Sequence, residues 1–159
     1  IELGFMAGAE VDRYANLNRH WVEENGKRIR LPGSGGAADI AAMAKRCIII
    51  MNHERRRFPA RVHYITSPGF GDGGDWRSRN GLIGGGPSRV ITSMGIFSFD
   101  ANTHEMVLTA SHPGVSIENI KNETGWPLQI SPDIEETAAP TDDELSAIRK
   151  YDPKGVWTS

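Results

Sequence analysis

The stretch from Leu31 to Met51 constrains the fold most. A glycine-rich segment, Leu31-Pro-Gly-Ser-Gly-Gly-Ala37, runs into a helical pattern and then into the unbroken apolar run Cys47-Ile-Ile-Ile-Met51. Ile40, Met43 and Ala44 fall at helical spacing, with Asp39 near the amino end and Lys45-Arg46 at the carboxyl end, charges that suit the helix dipole and predict a helix over 38–46. A short β-branched run with no polar alternation is the pattern of a parallel strand covered on both faces. Ile1 to Ala9 reads as another buried apolar strand. Strand, glycine loop, helix and strand in that order predict an α/β chain built on an open, mostly parallel sheet.

The remaining elements follow from turn chemistry and period. Glu10 to Asn18 clusters Asp and Asn around Tyr14, a reversal in which side chains bond their own backbone. His20 to Glu23 reads as a short strand and Glu24 to Arg30 as a polar loop. Val62 to Thr66 reads as a strand. Residues 67–87 hold eight glycines and two prolines, a loop too long for a plain connection and so functional or interfacial. Arg89 to Met94, Ile96 to Asp100 and Glu105 to Ser111 predict antiparallel strands toward the carboxyl end, the last two joined by a hairpin at Asp100-Ala-Asn-Thr. Two helices follow. One spans Ser116 to Thr124, opened by a Ser-x-x-Asn cap and closed by Gly125; the other spans Thr141 to Tyr151 and is opened by a Thr-Asp-Asp-Glu capping box.

Composition narrows the function classes. With 159 residues there is room for one domain, and no apolar run approaches the ~20 residues of a membrane helix. Residues 1–89 carry 14 Lys/Arg against 9 Asp/Glu, and residues 90–159 carry 4 against 11. That local basic excess suits a phosphorylated small ligand better than nucleic acid, whose binding domains are basic throughout. The single cysteine, Cys47, excludes an intrachain disulfide and a Cys-rich zinc site, and with no signal peptide visible the expected compartment is the cytoplasm.

Three clusters could carry chemistry. Gly33-Ser-Gly-Gly36 ahead of a helix can turn backbone N–H groups toward a phosphate or a developing oxyanion; the alternative is a strand-to-helix turn without a ligand. Glu23-Glu24-Asn25-Gly26 offers a carboxylate nucleophile, but Asn-Gly is a strong turn pair and paired glutamates are usually solvated. His53-Glu54 with Arg55, Arg56 and Arg57 suggests an anion clamp or a His-Glu acid/base pair. The other reading is a charged surface, with some arginines paired to carboxylates across an interface. His20, His53, His63, His104 and His112 lack metal-ligand spacing. Trp21, Trp76, Trp126 and Trp157 read as core or interface anchors.

The segments Gly8-Ala-Glu-Val-Asp-Arg-Tyr-Ala-Asn-Leu-Asn18, Leu31-Pro-Gly-Ser-Gly-Gly-Ala37, Met51-Asn-His-Glu-Arg-Arg-Arg-Phe58, Tyr64-Ile-Thr-Ser-Pro-Gly69 and His112-Pro-Gly-Val115 together resemble, in the same order, the B-type (beta) chain of family I CoA-transferases, above all its glutaconate CoA-transferase type. The beta chain of a steroid-ring-opening hydrolase is similar too. The resemblance implies the family I CoA-transferase fold and a B-type (beta) chain that pairs with an A-type (alpha) chain as a hetero-oligomer. It also implies an acyl-CoA thioester and a small carboxylic acid as substrates, with CoA as substrate and no permanently bound cofactor, metal, nucleic acid or membrane. CoA would move through a glutamyl-CoA intermediate on a glutamate upstream of the strand at Ile1, so that residues 1–159 would be one domain lacking its amino-terminal part and inactive alone. The glycine loop would approach the thioester, with a backbone N–H of Gly35 or Gly36 at the oxyanion and with Gly33, Ser34 and Ala37 beside the CoA thioester. Glu24-Asn-Gly26 copies a catalytic triplet of other branches in the wrong place. Ala15 stands where relatives usually have glycine, a strain of about 1 kcal/mol if φ is positive. Within the same resemblance the alternatives are a hydrolase of CoA thioesters or cyclic ketones and a non-catalytic partner chain.

Overall fold

The computed structural model describes residues 1–156. In chain order its strands are β1 (Leu3–Met6), β2 (Glu10–Val11), β3 (Leu17–Asn18), β4 (Trp21–Glu24), β5 (Lys27–Arg30), β6 (Arg46–Met51), β7 (Pro87–Thr92), β8 (Gly95–Phe99), β9 (Met106–Ser111) and β10 (Gln129–Glu136). The helices are α1 (Ala37–Met43), α2 (Trp76–Arg79), α3 (Ile117–Asn122) and α4 (Asp142–Tyr151), with a 3-10 turn at Arg55–Arg57. Six strands form one sheet in the order β1-β6-β7-β8-β9-β10. β1, β6 and β7 run parallel, β7 to β9 are antiparallel, and β10 is parallel to β9. The expected open α/β sheet with an antiparallel section is therefore present. No helix among the described residues is long and apolar enough to cross a membrane.

The core lies on one face of this sheet. Leu17, Ile49, Phe58, Val90, Phe97, Met106, Leu108 and Ile120 are fully buried there. β6 alternates: Cys47, Ile49 and Met51 are buried, whereas Ile50 is 49% exposed. The expectation that both faces of this strand are covered is thus corrected for these residues. The helix ahead of it is shorter than its pattern, ending at Met43, because the Lys45 N–H already donates to the Ile1 carbonyl at 3.0 Å and Arg46 opens the strand. Gly4 sets the packing of the pair, since a Cβ there would meet the Ile40 side chain at 2.4 Å.

Other departures have local causes. Glu24 to Arg30 is not a loop but the second half of a hairpin: Asn25 (φ 52°) and Gly26 (φ 70°) make a tight turn and Glu24 pairs with Lys27. Val62 to Thr66 forms no strand. Its end is instead drawn onto Leu17, whose carbonyl accepts the N–H groups of Thr66 at 2.8 Å and Ser67 at 3.1 Å. β10 escaped the pattern because Pro132 interrupts it and its register shifts between Ile130 and Glu135, which an edge strand tolerates. Gly125 does not close α3 by a left-handed cap. A Cβ there would lie 2.5 Å from the Phe58 carbonyl, so close approach is what requires glycine. The capping residues Ser116 and Thr141 and the capping box of α4 are as expected.

The Glu10–Asn18 reversal is held by side chains. The Asp12 carboxylate accepts from the N–H groups of Tyr14 (3.1 Å) and Asn16 (3.0 Å), while Asn16 Oδ1 accepts from Gly69 and Gly71, each at 3.0 Å. Burial pushes the Asp12 carboxyl up, and the bonds it accepts from Asn16 and Tyr14 oppose the push. Ala15 sits inside the reversal at φ 56°, nearly fully buried, so the strained conformation is real.

Candidate functional site

Ligands of open α/β sheets collect beyond the carboxyl ends of the parallel strands. That end carries a groove of about 490 Å³ here, walled by Phe5, Met6 and Ala7 from β1 and its exit, Ile50 from β6, Ile40 from α1, and Arg19, Ser34, Gly36 and Ala37. Arg19 and Ala7 also line a smaller extension of about 280 Å³ toward Gly8, Leu31 and Pro32.

The glycine loop is tethered to the β3–β4 turn at its start and closed by a turn of its own at its end. The Gly33 N–H donates to the Arg19 carbonyl at 2.8 Å and the Ala37 N–H to the Ser34 carbonyl at 3.0 Å. Gly33 (φ 93°) and Gly35 (φ 52°) need the left-handed region, but Gly36, the residue before α1, has an ordinary φ of -81°. A Cβ on Gly33, Gly35 or Gly36 would meet nothing within 4 Å. No neighbouring atom of the described chain therefore excludes a Cβ at position 36, and the space around that backbone is open. Among the described residues the N–H groups of Gly35 and Gly36 donate to nothing. Ala37 opens the helix, buried.

The other candidates stand elsewhere. Glu23 and Glu24 line a separate charged cavity with Glu10, Arg55, Arg56, Arg57 and His63. Glu24 is exposed at the hairpin turn. His53 and Glu54 do not pair. Glu54 takes Arg56 Nε at 2.7 Å and Arg57 Nε at 3.0 Å, and Arg55 Nη1 donates to the carbonyls of Asn122 (2.7 Å) and Thr124 (2.8 Å). Within this chain these arginines are thus held by Glu54 and by the carbonyls of Asn122 and Thr124. His53 is buried, stacked on Phe58 at 3.9 Å between ring centroids, with Thr92 and Thr124 hydroxyls 3.2 Å from its two ring nitrogens. Desolvation pushes its pKa down to about 4, with Glu123 opposing. It is a neutral core residue.

His63 Nδ1 lies 2.6 Å from the buried Glu10 carboxylate. Among the described residues no group of three His, Cys, Asp or Glu side chains could hold a metal. Trp126 is a core anchor against Phe58, Trp21 lies partly exposed beneath Arg28, and Trp157 falls outside the described residues. Sequence reasoning passed over two residues. Arg19 lines the groove from the turn between β3 and β4, where no motif marks it. Arg77, 7% exposed, donates to the carbonyls of Ala41, Gly69 and Gly84, and only its position inside a glycine-rich run hints at that role.

Comparison with known proteins adds to this geometry. Residues 1–123 match the family described as coenzyme A transferase. The chain is 41% identical over 155 residues to the B-type chain of 3-oxoadipate CoA-transferase from Pseudomonas knackmussii, covering 97% of this chain and 60% of that one. It is 39% identical over 150 residues to the B-type chain of glutaconate CoA-transferase from Acidaminococcus fermentans, covering 93% and 56%. The crystal structure of that organism's glutaconate coenzyme A-transferase superposes with a TM-score of 0.89 at 38% identity, covering 99% of this chain and 61% of the other. A cholesterol ring-cleaving hydrolase IpdB subunit of Mycobacterium tuberculosis is 28% identical over 157 residues, covering 95% and 60%. The chain thus spans about 60% of the length of these relatives.

Proposed function

The chain belongs to the coenzyme A transferase family, and from that premise we propose that it is the carboxyl-terminal part of a B-type (beta) chain that works with an A-type (alpha) chain to move CoA between an acyl-CoA thioester and a small carboxylic acid. The observation that carries this reading is Gly36, a glycine that neither its φ nor any neighbour within 4 Å demands, at the lip of a groove beyond β1 and β6. A side chain there would obstruct only a molecule arriving from outside.

The chemistry fits the residues present. When a carboxylate attacks a thioester carbonyl, negative charge develops on the carbonyl oxygen before the thiolate leaves. N–H groups fixed at that oxygen stabilise it without reorganisation, each worth roughly 3 kcal/mol. The undonated N–H groups of Gly35 and Gly36 are held in a tethered loop, and Phe5, Ile40 and Ile50 give the groove an apolar wall that strengthens such bonds. Gly33, Ser34 and Ala37 frame the same loop beside the thioester. In this reading the attacking carboxylate is a glutamate outside residues 1–159, and Glu24, exposed on a hairpin and absent from the groove wall, takes no part.

The test is to supply the native assembly containing this chain with an acyl-CoA and an isotopically labelled free carboxylic acid. Transfer predicts labelled acyl-CoA in step with loss of donor. Free CoA released in step with loss of donor, with no labelled thioester, would point to the hydrolase reading instead, which the weaker likeness to the ring-cleaving hydrolase supports less.

A further inference from the structure

Among the described residues Arg19 is the one charged residue of the groove. The walls of the main chamber and its smaller extension otherwise consist of apolar side chains, glycines, Pro32 and the Ser34 hydroxyl, with no carboxylate among them. Arg19 is partly buried, and among the described residues its guanidinium makes no hydrogen bond, ion pair or ring contact. The other partly or fully buried arginines here are matched: Arg13 reaches Glu105 at 3.7 Å, Arg57 has Glu54, and Arg77 is surrounded by carbonyls. Arg19 is also placed firmly. Its own N–H donates to Thr66 Oγ1 at 2.9 Å and its carbonyl accepts from Gly33 at 2.8 Å, so its backbone is tied directly to the loop that frames the groove.

A guanidinium in an apolar groove without a counter-ion favours a planar anion that can take two parallel N–H bonds, and a carboxylate has that geometry. We propose that Arg19 is a specificity residue that binds the distal carboxylate of a dicarboxylic acyl group, the end of the substrate away from the thioester. The inference rests on the reading of the glycine loop as the thioester site. The main chamber then takes the reacting carbonyl and the carbon chain, and Arg19 at the junction with the extension takes the far carboxylate. Monocarboxylic acyl groups would leave the guanidinium unpaired, so the preference comes from an unmatched charge on the protein as much as from a bond gained. Ser34 supplies a neutral second donor on the same wall.

The test compares wild type, Arg19→Met and Arg19→Lys in the native assembly, with glutarate against butyrate in calorimetric binding and glutaryl-CoA against butyryl-CoA in turnover. Wild type is expected to prefer the dicarboxylic member at least tenfold in both. Arg19→Met should bring each pair within about threefold by losing the dicarboxylic member alone, and Arg19→Lys should fall between. Thermal unfolding should stay near wild type, because only backbone atoms of Arg19 hold the fold. A preference that survives Arg19→Met, or no preference in wild type, overturns the proposal. An equal loss of both CoA thioesters with unchanged binding of free acids overturns it too, and places a CoA phosphate on Arg19. Absence of CoA transfer with every donor would count against the proposed reaction, whereas the calorimetric preference of the free acids reads the Arg19 assignment by itself.

Discussion

Arg77 donates from Nη2 to the carbonyl of Ala41 at 2.9 Å, and that bond ties the long glycine-rich segment to the helix behind the groove. The same guanidinium reaches Gly69 at 2.8 Å and Gly84 at 3.0 Å, so one side chain supplies donors that glycines cannot. A buried cation so completely surrounded by carbonyls acts as a bracket for the site.

Arg77→Met keeps much of the bulk and removes every donor. The buried carbonyls of Ala41 and Gly69 then lose a partner, each costing about 1–3 kcal/mol, as does the part-buried carbonyl of Gly84, and the variant should lose at least about 2 kcal/mol in urea unfolding. A loss under about 1 kcal/mol would mean that the glycine segment holds itself.

His53 predicts a pH dependence. An unfolded imidazole titrates near 6.5, whereas in the fold His53 titrates at about 4 because burial disfavours its charge. Between those values the unfolded chain binds a proton that the native chain does not. Stability contributed by this group is therefore fully present above pH 6.5 and falls as pH drops toward 4, by up to about 3 kcal/mol, with no further loss below. His53→Gln should flatten the stability profile between pH 6.5 and 4 relative to wild type; parallel profiles would contradict the assignment.

Glu24 is a decoy. It is exposed, ends β4 at the Asn25-Gly26 turn, and is missing from the groove wall. Glu24→Ala should change turnover of the native assembly less than threefold, since a lone surface charge is worth at most about 1 kcal/mol. A drop of several orders of magnitude, with the variant folded, would make Glu24 the nucleophile.

The legible parts of the fold were those written in local chemistry. The glycine loop, the apolar run at Cys47–Met51, the caps at Ser116 and Thr141 and the three strands from Arg89 onward each carry their own pattern, and each is present. Where tertiary contacts decide, the pattern failed. Lys27–Arg30 has the composition of a loop yet pairs as a strand because the Asn-Gly turn folds it back. Val62 to Thr66 has the composition of a strand yet is bent onto Leu17. At the site, the loop was legible because glycine is a backbone signal. Arg19 was not, because an unpaired guanidinium is recognisable only when the groove around it is known to lack a carboxylate.

The most direct measurement is kcat of the native assembly carrying Gly36→Val. Nothing lies within 4 Å of the new Cβ and φ is -81°, so the fold should lose no more than about 1 kcal/mol through a poorer helix start. If the loop presents its N–H groups to the thioester, the branched side chain blocks that approach, and kcat should fall on the order of a hundredfold, as for the loss of an oxyanion donor. A folded Gly36→Val enzyme within a few-fold of wild-type kcat would show that the loop is a structural turn and that the thioester lies elsewhere.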